Sequence, residues 1–242
     1  MSTVIQVDNV SMMFNLSSEK IDNIKEYVIK LLSRKLHFQE FWALRDVSFT
    51  LERGDALGII GLNGSGKSTL LKIISGILKP TKGSVITQGS IAPLIELGAG
   101  FDGELTAREN IFLNGAILGY DRAYMQKHFD EIVAFAELSD FVDTQVKNFS
   151  SGMIARLGFA ISTMNVPVIL VVDEILSVGD YKFQQKSFAR MKNVMDSGAT
   201  VVFVSHSIDQ VWELCNKALW LEHGQVRLFG PAGEVCEQYM QS

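Results

Sequence analysis

The chain has 242 residues, of which 47% are hydrophobic, and its formal net charge at pH 7 is −5. This size and apolar content suit one large domain with an ample core. The negative charge argues against a nucleic-acid partner, and the apolar runs are too short to span a bilayer. The first residues lack the features of a signal peptide, and Cys215 and Cys236 lack metal-site spacing. We therefore expect a chain kept in the cytoplasm with reduced thiols.

The N-terminal part changes from a strand pattern to a helix pattern and back. Residues 3–14 alternate as an edge strand does. Residues 18–36 have one apolar helical face and a basic end, and strand character returns over residues 43–51. The apolar face favours packing of this helix on its own domain. The basic end leaves open a contact with anionic lipid headgroups or a lipid-linked pyrophosphate.

A glycine-rich stretch between a short apolar strand and a helix is the most informative segment. It fits the pattern G-x-x-x-x-G-K-[ST] and comprises Gly61, Leu62, Asn63, Gly64, Ser65, Gly66, Lys67, Ser68 and Thr69. Backbone N–H groups at such a helix N-terminus favour an anion, and glycines let the backbone approach phosphate closely. We expect the Lys67 amine to reach the β- and γ-phosphates of a nucleotide and the Ser68 hydroxyl to ligate Mg²⁺.

The remaining sequence alternates strands and helices. Residues 83–97 read as strands and residues 103–148 as mostly helical, which indicates an inserted helical block. Residues 168–172 and 199–204 are unbroken apolar strands, typical of a parallel sheet with both faces covered. The order predicts an α/β fold with a parallel core.

Two acids follow the first of these apolar strands. The strand delivers Asp173 to its C-terminal edge, where a carboxylate can hold the Mg²⁺ shell. Glu174 comes next and can orient the water that attacks a γ-phosphate. Two acids ending a strand are ordinary by themselves, but the upstream glycine-rich stretch at residues 61–69, the phosphate loop, favours a functional pair.

The order of these motifs resembles that of the nucleotide-binding subunits of ABC transporters, over nearly the whole chain. The start of the helix after residue 149 is similar to the family's signature loop, L-S-G-G-Q. Ser150 and Gly152 match that loop, whereas Ser151 replaces its first glycine and Met153 its glutamine. The resemblance implies an ATPase that uses ATP and Mg²⁺. It also implies a head-to-tail dimer with a second copy, in which each ATP lies between one subunit's phosphate loop and the partner's Ser150, Ser151 and Gly152.

The same resemblance implies a fold and further site residues. The fold is a P-loop NTPase core with a mainly parallel sheet, an antiparallel β edge region and a helical subdomain at about residues 101–162. Asp180 occupies the place of the family's D-loop, although a simple helix cap explains it equally well. His206 matches the switch histidine near the γ-phosphate. Phe14 fits the aromatic that stacks on adenine best, with Phe41 and Trp42 as alternatives, and all three could be core aromatics.

A narrower resemblance concerns residues 95–101. Glu96 stands near the place where most relatives have a glutamine that reaches Mg²⁺. This stretch, a helical insertion at residues 15–40 and the Ser-Gly-Met wording of the signature loop are similar to ATPases that export bacterial polysaccharides on a lipid carrier. The resemblance implies Glu96 as a Mg²⁺ ligand, although a solvent-facing loop acid is the plain alternative. It also implies a polytopic transmembrane permease as partner and a peripheral place on the cytoplasmic face of the cell membrane.

We therefore expect a single ABC ATPase domain over residues 1–242, without a C-terminal glycan-binding domain, that drives export of a lipid-linked polysaccharide of the O-antigen or teichoic acid type. An exporter of lipids or drugs is the first alternative. A soluble ABC ATPase of translation or DNA repair is the second, although such proteins carry tandem cassettes or long coiled coils. A P-loop kinase or GTPase is the third, and neither needs the signature helix.

Overall fold

The computed structural model describes residues 2–17, 38–94, 98, 100–173, 180–205 and 207–242. Two sheets lie in this part of the chain. The antiparallel sheet has the order β2-β1-β4 and consists of β1 (Thr3–Ser17), β2 (Phe38–Glu52) and β4 (Lys82–Thr87). The larger sheet has the order β5-β6-β7-β3-β8-β9 and consists of β3 (Ala56–Ile60), β5 (Ile91–Leu94), β6 (Ile169–Asp173), β7 (Thr200–Val204), β8 (Lys217–Glu222) and β9 (Gln225–Pro231).

The described helices are α1 (Lys67–Ile74), α2 (Ala107–Ile117), α3 (Arg122–Ala136), α4 (Ser151–Ser162), α5 (Tyr181–Asp196), α6 (Ile208–Leu214) and α7 (Ala232–Met240). Two short 3₁₀ turns, Ser139–Phe141 and Val146–Asn148, join α3 to α4. Across the described ranges, no helix combines the length and the apolar character that crossing a membrane requires.

The larger sheet is parallel from β5 to β8, and only β9 runs antiparallel to its neighbour. Its central strands are apolar at nearly every position because both faces are covered. Alternate residues contribute to two clusters. One lies between this sheet, α1 and the antiparallel sheet, and the other packs α5, α6 and α7 against the opposite face. The arrangement is the α/β fold that the alternating pattern predicts.

The first strand differs from its prediction. β1 is the central strand of its sheet, paired with β2 on one side and β4 on the other, so the edge-strand prediction is wrong. Val4, Ile5, Val7 and Val10 are buried because they face the core cluster that contains α1. The sequence pattern shows such a buried face, but the face alone does not show how many neighbours a strand has.

The predicted insertion at residues 15–40 is strand at both of its described ends. Pairing between β1 and β2 continues through Asn15 with Glu40 to Ser17 with Phe38. The helix predicted for residues 18–36 lies outside the described residues.

Helices α2, α3 and α4 form a helical block with its own apolar cluster. Thr106 begins α2 with a capping box, in which its hydroxyl accepts the Glu109 N–H and the Glu109 carboxylate accepts the Thr106 N–H. Asp121 caps α3, and that helix ends at Glu137 in the left-handed conformation, with φ of 59°. Side-chain caps therefore start these helices, as their sequences suggest.

Candidate functional site

The phosphate loop joins β3 to α1, and its backbone requires glycine. The φ angles of Gly61, Gly64 and Gly66 are 147°, 79° and 104°. A Cβ on Gly61 would lie 2.1 Å from the Leu221 carbonyl oxygen, and one on Gly66 would lie 2.6 Å from the Ala43 carbonyl oxygen. No larger residue fits at either position without moving backbone.

Two segments that are distant in sequence support the phosphate loop through backbone hydrogen bonds. The Gly224 N–H, in the turn between β8 and β9, donates to the Ser65 carbonyl at 3.0 Å. The Gly224 carbonyl accepts from the Arg45 N–H of β2 at 2.8 Å. These bonds join the loop to the antiparallel sheet and to the C-terminal strands. Local sequence carries no signal for such long-range contacts.

The start of α1 provides the donors expected of a phosphate site. Gly66 is the N-cap, so no cap side chain stands over the first backbone N–H groups of the helix. Lys67 is 6% exposed, and its ammonium donates to the carbonyls of Gly61 at 2.8 Å and Leu62 at 3.0 Å. Ser68 is exposed on the first turn. The remaining loop residues differ in burial: Leu62, Asn63 and Gly64 are exposed, Thr69 is half-buried and Ser65 is buried.

Strand register brings Asp173 to the same edge of the sheet as the loop. Asp173 pairs with Val204, and Val204 pairs with Ile59, so these three residues form a row across β6, β7 and β3. Neighbouring strands are about 4.8 Å apart, which puts Asp173 about 10 Å from the strand that enters the loop. Helix α1 packs against both β6 and β7. Hydroxyl and carboxylate oxygens are the ligands that Mg²⁺ prefers, so Ser68 and Asp173 fit a Mg²⁺ ion.

Three predicted site residues lie outside the described part of the chain. Glu96 follows the end of β5, Glu174 follows the end of β6, and His206 follows the end of β7 by one further residue. These strands are parallel neighbours, so all three residues follow strands that end at the edge where the phosphate loop begins.

The signature-like segment opens α4. Ser150 is the N-cap, and its hydroxyl accepts the Met153 N–H at 3.2 Å. Ser150 and Ser151 are exposed, and among the described residues a Cβ on Gly152 would meet only the Ser150 hydroxyl oxygen, at 3.8 Å. Met153 packs against the cluster of the helical block. The N-terminus of α4 is therefore accessible to an anion, while the residue at the family's glutamine position faces inward.

Asp180 is the N-cap of α5. One carboxylate oxygen accepts the Phe183 N–H at 2.9 Å, and the other accepts from the Arg156 guanidinium at 2.7 Å. The Phe183 N–H is the main cause that lowers the pKa of Asp180, and Arg156 lowers it further. The simple helix cap is thus present, and a D-loop role remains a prediction.

The three aromatic candidates for adenine stacking lie together on one hairpin. Phe14 and Phe41 face each other across β1 and β2, and Trp42 faces Met13. Phe14 is half-buried, whereas Phe41 is 47% exposed. The Lys82 ammonium lies 5.3 Å from the centre of the Trp42 ring, so Lys82 covers one face of that ring.

A cavity of about 490 Å³ adjoins the phosphate loop. The loop forms one side, and C-terminal residues that include Trp220, His223 and Tyr239 form the other. Trp220 and Tyr239 pack edge to face, with ring centres 5.2 Å apart. Sequence reasoning missed this wall because its residues come from β8, the turn after it and α7.

Comparisons with known proteins identify the family of the chain. The sequence model of the family described as "ABC transporter" matches residues 44–177. An O-antigen export system ATP-binding protein, RfbB, from Klebsiella pneumoniae is 40% identical over 244 residues, covering 100% of this chain and 99% of the relative. A teichoic acids export ATP-binding protein, TagH, from Listeria monocytogenes serotype 4b is 43% identical over 235 residues, covering 97% of this chain and 69% of the relative.

Solved structures support the fold. The ATP-binding cassette MJ0796, in a dimeric post-hydrolysis state bound to ADP and Pi, superposes with a TM-score of 0.74 at 24% identity. The superposition covers 94% of this chain and 98% of that structure. The predicted P-loop NTPase fold is thereby confirmed. With a family match over more than half of its residues and a relative aligned along its whole length, the chain belongs to the ABC transporter family.

Proposed function

We propose that this protein is the ATP-binding and hydrolysing subunit of an exporter that moves a lipid-linked polysaccharide, of the O-antigen or teichoic acid type, across the cytoplasmic membrane. The observation that carries the proposal is the 40% identity, over the whole chain, to an ATP-binding protein of an O-antigen export system. The relative named for teichoic acid export supports the same class of cargo.

In this proposal the phosphate loop binds the triphosphate of ATP. The buried Lys67 ammonium turns from its two loop carbonyls to the β- and γ-phosphates. Ser68 and Asp173 would hold Mg²⁺, with Glu96 as a further ligand, and the ion would supply positive charge against the phosphates. Glu174 orients the attacking water, and His206 lies near the γ-phosphate.

The second half of each site comes from a second copy of the chain. Ser150, Ser151 and Gly152 lie at an accessible helix N-terminus, which suits a phosphate bound on the partner's loop. Asp180 lies at the interface between the two sites. Binding of ATP closes the dimer, and hydrolysis reopens it. The dimer works on the cytoplasmic face of the membrane with a polytopic permease.

Purification of the protein from its native membranes tests the assignment of cargo. We expect a polytopic subunit and a lipid-linked glycan to accompany it. Recovery with ribosomes, or with a permease that carries lipid or drug but no glycan, would refute the proposal.

The ATPase assignment has its own test. Glu174→Gln should bind ATP, lose turnover and accumulate as an ATP-bound dimer, detected by light scattering after gel filtration. Adding Lys67→Ala to that background should abolish the dimer because the β- and γ-phosphates lose the ammonium that binds them. Persistent turnover in Glu174→Gln, without a trapped dimer, would show that another group orients the water.

A further inference from the structure

The guanidinium of Arg156 joins the signature helix to the start of α5. Arg156 lies on α4, six residues after the Ser150 cap, which is about 9 Å along the helix axis. One of its terminal nitrogens donates to the Asp180 carboxylate at 2.7 Å, and the other donates to the Glu137 carboxylate at 3.1 Å. The central carbon of the Arg156 guanidinium, Cζ, lies 4.9 Å from the centre of the Phe183 ring. The Arg156 side chain therefore contacts both the C-terminal end of α3 and the N-terminal end of α5.

The two oxygens of Asp180 have different partners. One caps α5 through the Phe183 N–H, and the other binds Arg156. The side chain of Arg156 is only 20% exposed, whereas that of Asp180 is 62% exposed. A partly buried cation thus fixes an exposed carboxylate in one orientation. Without Arg156, the second oxygen of Asp180 loses its charged partner.

The Glu137 carboxylate, the second partner of Arg156, is itself held by α5. Lys186 of α5 donates to the Phe135 carbonyl at 2.9 Å and lies 3.5 Å from the Glu137 carboxylate. The charges alternate along the chain of contacts from Lys186 through Glu137 and Arg156 to Asp180. The planar guanidinium of arginine suits this arrangement because its two terminal nitrogens donate in two fixed directions. A lysine ammonium at position 156 would be a point charge and would not reproduce both hydrogen bonds.

We propose that Arg156 is a positioning residue that makes the signature loop and Asp180 of one subunit move as one unit toward the partner's ATP. The inference rests on the proposed function, in which both Ser150 and Asp180 act on a site formed with the second copy. If Arg156 couples the signature loop and Asp180 rigidly, both reach the partner's ATP in a single closing movement. Misplacement by about 1 Å is enough to lower a rate substantially in such a site.

The chain contains a matched control for this role. Arg190 of α5 donates to the Glu131 carboxylate at 2.8 Å, and its carbon lies 4.8 Å from the centre of the Phe135 ring. Its side chain is 24% exposed. Arg190 thus links α5 to α3 with the same kinds of contact, an ion pair and a ring, but it touches neither the signature helix α4 nor Asp180.

The test uses the full-length protein with Arg156→Met, Arg190→Met, Asp180→Asn and the double variant Arg156→Met/Asp180→Asn. Asparagine retains the helix cap but loses the charge. For each protein, nucleotide affinity, turnover against ATP concentration and midpoint of thermal unfolding are measured.

We expect Arg156→Met and Arg190→Met to lower the thermal midpoint similarly and to change nucleotide affinity less than twofold. Turnover at saturating ATP should fall about tenfold in Arg156→Met and stay near wild type in Arg190→Met. The double variant should lose less than the combined losses of Arg156→Met and Asp180→Asn, since both changes break the same link. Equal turnover in the two methionine variants, or additive losses in the double variant, would overturn the inference. Absence of ATP turnover in the wild-type protein would instead refute the proposed function itself.

Discussion

At the scale of single residues, the phosphate loop shows two different reasons for glycine. Gly61 combines a φ of 147° with a backbone oxygen 2.1 Å from the place of a Cβ. Gly64 has a φ of 79°, but no atom of the residues that the structure describes lies within 4 Å of a Cβ there. The first position is limited by space and conformation, and the second by conformation alone.

This difference predicts unequal effects of alanine in the loop. Gly64→Ala should cost about 1 kcal/mol, the strain of a left-handed non-glycine residue, and should leave a folded protein that still binds nucleotide. Gly61→Ala should displace β8 and abolish nucleotide binding. Urea unfolding and a fluorescent-nucleotide titration measure the two effects. Similar behaviour of the two variants would contradict the packing described for Leu221.

Asp55 is a buried acid on the opposite edge of the larger sheet, away from the phosphate loop. Its carboxylate accepts from the Lys217 ammonium at 2.7 Å, from the Glu52 N–H at 2.7 Å and from the Asn216 amide at 3.1 Å. Burial acts to raise the pKa of Asp55, but these three hydrogen bonds together outweigh burial and lower it. The cluster joins the first residues of β3 and β8.

The lowered pKa of Asp55 gives a pH prediction. A carboxyl group whose pKa is lower in the folded state stabilises the fold above its unfolded pKa, near 3.8, and loses this effect as pH falls through the folded value. Asp55→Asn should therefore destabilise the protein by about 3 kcal/mol at pH 7 and show a smaller loss of stability in acid. Asp143→Asn, at an exposed ion pair, is the control and should change little. Parallel stability curves for wild type and Asp55→Asn would contradict the prediction.

At the scale of elements, α2 and α4 both begin with a hydroxyl cap. Thr106 caps α2 within the helical block, and Ser150 caps α4 at the proposed contact with a partner's ATP. Both hydroxyls accept a backbone N–H at 3.2 Å. The two caps are alike in local structure and differ in proposed function.

Alanine at the two caps should separate stability from activity. Thr106→Ala and Ser150→Ala should each cost about 1 kcal/mol of stability. Only Ser150→Ala should also lower turnover, because the partner's phosphates lose a hydroxyl donor. Chemical denaturation and steady-state ATP hydrolysis measure the two properties. Equal turnover in both variants would argue against a role for Ser150 beyond capping.

The sequence predicted those elements whose cause is local. Apolar runs such as residues 168–172 indicated buried parallel strands, and the loop at residues 61–69 indicated its own strand and helix. The position of β1 within its sheet was predicted wrongly, and the Gly224 contact with the loop and the Arg156 bridge were not predicted. Each depends on which distant segments become neighbours, and the identity of a single residue does not encode that.

At the scale of the whole molecule, an aromatic cluster connects the helical block with the parallel core. Phe159 of α4 is 1% exposed and belongs to the apolar cluster on the sheet face covered by α5. Its ring centre is 5.8 Å from that of Phe135 and 6.4 Å from that of Phe183. Phe159 is thus shared by two parts of the fold.

Removing this ring should weaken the connection between the two parts. Phe159→Ala should cost about 3–5 kcal/mol, because a large cavity forms at a site held from several sides. Hydrogen exchange should show α3 and α4 losing protection before the central strands. Phe141→Ala, at a position 47% exposed, is the control and should leave exchange unchanged. Uniform loss of protection over the whole chain would show that the helical block and the core unfold together.

The contact between Gly224 and the phosphate loop also bears on how the protein is made. The ribosome produces residues 61–69 well before the groups that hold them, Leu221 and Gly224, which come later in the chain. A nascent chain that has not reached β8 carries the complete glycine motif without its support. The newly made protein therefore acquires a formed phosphate loop only after residues 221–224 have left the ribosome, and nucleotide has no finished site to occupy before then.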